Sequence, residues 1–128
     1  MQLISPEKIF RGNGAWLKAL PHIKELSKRP FLLGRSISTN NLRQQVHKDL
    51  HAENLSIFSS NLQFDCCYED LKRIKTIILK NNCDSIIAIG GGKVLDAGKF
   101  LGDSLSIPVI TIPSVSYTHL TLPTILLV

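Results

Sequence analysis

Apolar residues recur along this chain in short blocks of two kinds. Trp16, Leu17, Leu20, Ile23 and Leu26 repeat at helical spacing and predict a helix over residues 15–28. Pro21 falls inside that pattern and is expected to kink the helix or split off its first turn. Leu42, Val46 and Leu50 mark one face of a second helix. Leu71, Ile74, Ile78 and Leu79 form the apolar side of a third, Tyr68–Asn82, which Asn81-Asn82 stops; Lys93–Leu101 is the fourth. Between them lie brief aliphatic runs that read as strands: Phe31–Leu33, Leu55–Phe58, Asp84–Ile89 and Ile107–Ile112. Ile9 and Phe10 mark a further short strand, followed by a turn at Gly12-Asn13-Gly14.

Strands alternate with helices, and the strands are aliphatic without a clean polar alternation. That combination predicts an α/β fold with a parallel sheet covered on both faces and right-handed crossovers. There is no internal repeat and no low-complexity tract.

Composition narrows the class. The chain has 128 residues, 44% apolar and 20% charged, which is enough for one domain with a core and unlike a disordered segment. A net charge of +5 gives a mild bias toward anions, yet no Lys/Arg run exceeds two and aromatics are 6%, so nucleic acid is not indicated. Cys66, Cys67 and Cys83 fit no structural zinc or CxxC spacing, and reduced thiols favour a cytoplasmic setting. Pro6 and Glu7 interrupt the place where a signal peptide has its apolar core. No apolar run approaches the roughly 20 residues of a membrane span, so no membrane partner is expected.

The chemistry concentrates in "SIIAIGGGKVLDAGKF", residues 85–100. Gly90, Gly91 and Gly92 stand where an aliphatic strand hands over to a helix. In parallel α/β sheets ligands bind at the carboxyl ends of strands. Glycine lets a phosphate approach the backbone, and a helix start offers N–H groups and a positive dipole end. The reading is a diphosphate cradle; the other reading is a tight strand-to-helix turn and nothing more. The spacing is neither GxGxxG nor a P-loop. Asp96 and Lys99 share a helix side, either toward a ligand or as a surface ion pair. His47 and His51 are four apart but do not form HExxH, and they read as an ordinary helix face.

"DSIIAIGGGKVLDAGKF", followed by "IPVITIPS" and preceded by "P..IF.G.GAW..L" over residues 6–20, resembles the nucleotide-binding half of the iron-containing alcohol dehydrogenase superfamily. The glycerol dehydrogenase-like branch is the most similar, and the wider superfamily includes glycerol-1-phosphate dehydrogenases and dehydroquinate synthases. The resemblance covers most of residues 4–114 and implies a Rossmann-like dinucleotide-binding architecture. It also implies a helical C-terminal domain, missing here, that carries most metal ligands. By resemblance, Gly90, Gly91, Gly92, Lys93, Asp96 and Ser114 belong to the site of NAD or NADP, with Asp96 near the nicotinamide. Arg35 stands where the adenosine ribose is read; the family's acidic residue is absent there, which leaves NAD and NADP both open. Lys93 fits the dehydroquinate synthase branch less well. A small alcohol or polyol substrate, a divalent zinc or iron ion in the full-length parent and a homo-oligomer are the implied partners.

After Pro113 the resemblance breaks. The family's metal-binding aspartate is matched by His119, with no further ligands downstream. "SVSYTHLTLPTILLV" instead resembles the translation of a sequencing adapter joined to a truncated reading frame. Residues 1–113 are therefore expected to be a partial nucleotide-binding domain and residues 114–128 a non-native tail. Three functions compete: the N-terminal part of a metal-dependent NAD(P)-linked alcohol or polyol dehydrogenase that is inactive alone, a non-catalytic nucleotide-binding module, and an inactive fragment. A glycerol-1-phosphate dehydrogenase-like or dehydroquinate synthase-like parent is the alternative within the superfamily.

Overall fold

Strand residues point alternately to the two faces of a sheet, and here both faces are covered by helices. The computed structural model describes residues 8–11, 15–35, 39–63, 67–113 and 124–127. In chain order these form β1 (Lys8–Arg11), α1 (Ala15–Leu26), β2 (Pro30–Gly34), α2 (Asn40–Ala52) and β3 (Phe58–Asn61), then α3 (Tyr68–Lys80), β4 (Ser85–Gly90), α4 (Gly92–Leu105), β5 (Val109–Pro113) and β6 (Thr124–Leu127). One six-stranded sheet has the order β1-β6-β5-β4-β2-β3. Its four strands β5, β4, β2 and β3 run parallel, so the α/β class with a parallel sheet that the pattern predicts is the class the chain adopts. β6 joins antiparallel to β5 and β1 at one side. Thr124–Leu127 thus lies within the sheet, in the stretch that sequence reading sets apart as a tail.

Leu32, Ile87, Ile89, Ile110 and Ile112 pack with Ala19 and Ile23 of α1 and Val46 and Leu50 of α2. Phe31, Leu33, Ile86 and Ala88 pack on the opposite face with Ile74 and Ile78 of α3 and Val94, Ala97 and Leu101 of α4. Helix α4 lies especially close to the sheet. A Cβ on Gly98 would strike the Ala88 Cβ, and one on Gly102 would strike Val109 Cγ2. This is why Gly102 sits inside α4, which runs on past the predicted Leu101 to Leu105.

Other elements also differ from the sequence pattern. Helix α1 runs through Pro21 as one element. Pro21 and Leu17 are both exposed, so the carbonyl deprived of a donor lies on the water side. β3 begins at Phe58, where the pattern ends it, because the Leu55 N–H is already used by the Leu50 carbonyl and the Ser56 N–H by that of Lys28. Ser59, Ser60 and Asn61 can be strand residues because β3 is at the sheet edge. On α2 the inward stripe is Arg43, Val46 and Leu50, whereas Leu42 is 39% exposed.

Polar clamps close the turns. At the amino end of the parallel strands, Ser85 Oγ donates to Ser27 Oγ at 2.7 Å, and Ser27 Oγ donates to Asp84 Oδ1. Asp84 also accepts from the Lys28 and Arg29 N–H groups at 2.9 and 3.1 Å. Burial pulls its carboxyl upward, but these hydrogen bonds prevail and hold it below its ordinary pKa. Near β3, buried Asp70 accepts from the Gln63 N–H at 2.7 Å and from Arg73, which also donates to Ser60 Oγ and to the Asn61 carbonyl.

Two outcomes are expected. Gly102→Ala should destabilise the fold by about 1–3 kcal/mol through overpacking against Val109, outweighing alanine's gain of about 1 kcal/mol in helix propensity; urea unfolding followed by circular dichroism reads this. Asp84→Asn should destabilise at neutral pH. The folded pKa of Asp84 is depressed, so its contribution is present above the unfolded value of about 3.9 and lost as pH falls through the folded one. The stability gap between wild type and Asp84→Asn should therefore be full above about pH 5 and shrink steadily below pH 4. A gap that stays constant from pH 7 to pH 2.5 would refute this role.

Candidate functional site

The strand order creates one place where the connections part. From β2 the chain passes through α2 to β3 on one side; from β4 it passes through α4 to β5 on the other. α2 and α4 also cover opposite faces. The carboxyl ends of β2 and β4 therefore flank a crevice, the usual ligand position in an open α/β sheet. Gly34-Arg35 ends β2, and Gly90-Gly91-Gly92 ends β4 and starts α4.

The three glycines are not equivalent. Gly90 has φ +152°, a conformation that side chains resist, and a Cβ there would lie 3.0 Å from Val94 Cγ2. The turn itself thus explains Gly90. Gly91, at the helix N-cap, has φ −81° and ψ −173°, ordinary extended backbone. A Cβ on Gly91 or Gly92 would meet nothing within 4 Å. Neither conformation nor packing requires glycine at 91 or 92, and both face open space beside the crevice.

Helix α4 reinforces this. Its first intrahelical bond runs from the Leu95 N–H to the Gly91 carbonyl, so the N–H groups of Gly92, Lys93 and Val94 point out of the helix end. The first turn has no acidic residue, although a carboxylate is favoured there by the helix dipole. Lys93, Asp96 and Lys99 are all exposed on α4, Asp96 one turn beyond the glycines and Lys99 a further turn on. The arrangement suits an anion above Gly91 and Gly92, and a bare backbone is what a diphosphate needs for close approach. Ser114 and His119 lie outside the described residues.

The sequence pattern misses Arg43. Its side chain is 8% exposed, its guanidinium donates to Thr39 Oγ1, and it lies over Gly34, where a Cβ would come within 2.6 Å of Arg43 Nε. Burial lowers its pKa. The signal was the spacing of Arg43 with Val46 and Leu50, which places a cation on the inward stripe. Thr111 is a second omission: its Oγ1 is buried on β5 with no hydrogen-bond partner among the described residues. His47 and His51 are exposed on α2. Among the described residues no three His, Cys, Asp or Glu side chains gather, so these residues do not fit a metal ion and no chemistry is assigned through one. Among them, too, no helix is long and apolar enough to cross a membrane.

Comparison with known proteins identifies the family. The chain is 26% identical over 114 residues to a glycerol dehydrogenase of Citrobacter freundii, covering 89% of this chain and 31% of that protein. It is 28% identical over 113 residues to a glycerol-1-phosphate dehydrogenase of Nitrosopumilus maritimus, covering 88% and 30%. The chain therefore spans under a third of the length of these relatives. Among solved structures, an iron-containing alcohol dehydrogenase from Thermotoga maritima superposes with a TM-score of 0.75 at 19% identity, covering 88% of this chain and 37% of that one. A maleylacetate reductase from Rhizobium sp. gives 0.71 at 22% identity, covering 88% and 32%. These two show the shared fold. The family model for iron-containing alcohol dehydrogenases matches residues 6–120, and the chain belongs to that family.

Proposed function

We propose that the crevice between β2 and β4 binds the diphosphate of a nicotinamide dinucleotide, NAD or NADP, over Gly91 and Gly92. The observation that carries this reading is the open space at those two glycines, at the start of a helix with no acid in its first turn. Lys93 adds a positive charge at the helix start, Asp96 stands one turn on, toward the nicotinamide end, and Ser114, the residue after β5 in the sequence, completes the proposed cofactor set. The protein to which this fold belongs is an alcohol or polyol dehydrogenase, passing hydride from a small alcohol to the cofactor. Family membership and the glycerol and glycerol-1-phosphate dehydrogenase relatives support that reaction class. A divalent zinc or iron ion, for which the described residues offer no ligand cluster, would supply the Lewis-acid chemistry of such a reaction. The role of the residues described here is to hold and orient the cofactor. Residues 1–113 are the nucleotide-binding part in this reading. A non-catalytic nucleotide module shares the same binding site and differs only in turnover.

Two glycine variants separate ligand binding from folding. Gly90→Ala should cost about 1–3 kcal/mol of stability from its backbone conformation. Gly91→Val should keep stability within about 1 kcal/mol, the scale of an N-cap change. Its branched side chain should displace the diphosphate from one or two N–H groups worth about 1.5–3 kcal/mol each, lowering affinity roughly tenfold or more. Calorimetric titration with NADH and NADPH, beside thermal melting, measures both. A folded Gly91→Val that binds both cofactors as wild type does would place the diphosphate elsewhere.

A further inference from the structure

A groove of about 330 Å³ lies between α3 and α4. Tyr68, Leu71, Lys72, Lys75 and Leu79 line it from α3, with Phe100 from α4. We propose that this groove docks an acidic amphipathic helix of a partner protein, its apolar side chains against Leu79 and Phe100 and its carboxylates at Lys72 and Lys75.

Exposed apolar surface is the first argument. Tyr68 is 74% exposed, and Leu79 and Phe100 are each 57% exposed. The other large exposed apolar side chains among the described residues, Leu17, Leu26 and Leu42, lie on α1 and α2. Leucines scattered singly over a surface are ordinary, whereas apolar groups gathered in one groove mark a contact surface. The core does not ask for these residues. Helix α3 turns Asp70, Ile74 and Ile78 inward. Tyr68, Lys72, Lys75 and Leu79, at steps of four, three and four residues, form a second stripe that helical geometry sets on a different side. A groove of this kind receives a helix whose anchors recur at i, i+3, i+4 and i+7.

Charge is the second argument, and it selects the occupant. Two lysines line the groove and no carboxylate does. Lys75 Nζ donates to Ser104 Oγ at 3.0 Å, which ties α3 to α4 and holds its charge at the groove. The stems of such lysines cover apolar surface while their ammonium groups stay in water, ready to meet an anion. A partner helix, about 10–12 Å across, can set its carboxylates against these two cations alone. A bilayer is broader. It would also meet Glu69, Asp96 and Asp103, exposed on the same two helices, and these repel anionic lipid. A second copy of the chain would bring a further net charge of +5, with its own Lys72 and Lys75, to the contact. The complement of the groove is therefore a narrow, negatively charged helix with an apolar stripe.

The test is amide NMR titration of the full, isotope-labelled chain with a stapled helical peptide that carries leucine at i, i+3, i+4 and i+7 and glutamate elsewhere. A counterpart with lysine in place of glutamate is titrated beside it. The acidic peptide should bind saturably and shift the amides around Lys72, Leu79 and Phe100, leaving that of Gly34 unmoved. The lysine peptide should bind at least about tenfold more weakly, because like charges then meet at Lys72 and Lys75. Leu79 and Phe100 are exposed, so Leu79→Ala and Phe100→Ala should melt as wild type does. Each should lower affinity for the acidic peptide about tenfold, the loss of one apolar anchor. Lys72 is exposed as well, and Lys72→Gln should weaken that peptide by about threefold to tenfold. Equal affinity for the two peptides overturns the proposal, as does the absence of saturable binding. Leu79→Ala and Phe100→Ala variants that bind as wild type does also overturn it. Two further results would give the groove another occupant and overturn it too: binding to phosphatidylserine vesicles that Phe100→Ala abolishes, or dimers in sedimentation that the same variant dissociates.

Discussion

Helix α4 touches the sheet with no side chain of its own in between at Gly98 and Gly102, and the candidate site depends on that contact. Ala88 and Val109 occupy the space that two Cβ atoms would take. Dense interiors leave no slack for such a substitution. The seating fixes the helix axis against β4 and β5, and so fixes where its first N–H groups emerge relative to the end of β4. Gly90 then needs its unusual φ because the chain must turn sharply from a strand into a helix held this close. Gly91 and Gly92 come after the turn is made, which is why they are relieved of any packing duty.

The two ends of the parallel strands are built differently. At the amino end, hydroxyls, backbone N–H groups and the Asp84 carboxylate satisfy one another around Ser27 and Ser85. Arg29 adds bonds from Nε and Nη2 to the Asn81 carbonyl at 3.0 and 2.8 Å, tying α3's end to the same region. At the carboxyl end, helix starts and glycines face outward. Cys83 belongs to the closed end: burial pushes its thiol up to about 11, so it remains protonated and unreactive at neutral pH.

The parts of the fold most visible in the sequence were those whose physics is local. Ile86, Ile87 and Ile89 followed by three glycines announce a buried strand and a turn, and α3 shows its apolar stripe plainly. Boundaries set by distant partners were not visible. β3 is displaced because the N–H groups of Leu55 and Ser56 are taken by carbonyls elsewhere, and its serines pass for loop residues until the edge position is known. Arg43 reads as a surface charge because helix patterns count leucines; Leu42 beside it was the natural choice for the inward face. Its true place depends on the absence of a side chain at Gly34, nine residues away and on a different element. The glycine turn of the candidate site was therefore legible, and the buried cation Arg43 over Gly34 was not.

Edge strand β3 has a final consequence, for the company this protein keeps with copies of itself. A bare sheet edge invites another chain to add on as a further strand. Here the Arg73 guanidinium reaches across from α3, donating to the Asn61 carbonyl at 2.6 Å and to Ser60 Oγ at 3.1 Å, while Asp70 holds it in place. An incoming strand would find that carbonyl occupied and a positive charge beside it. Arg73 thus doubles as a gatekeeper against ribbon-like self-association along this side of the sheet.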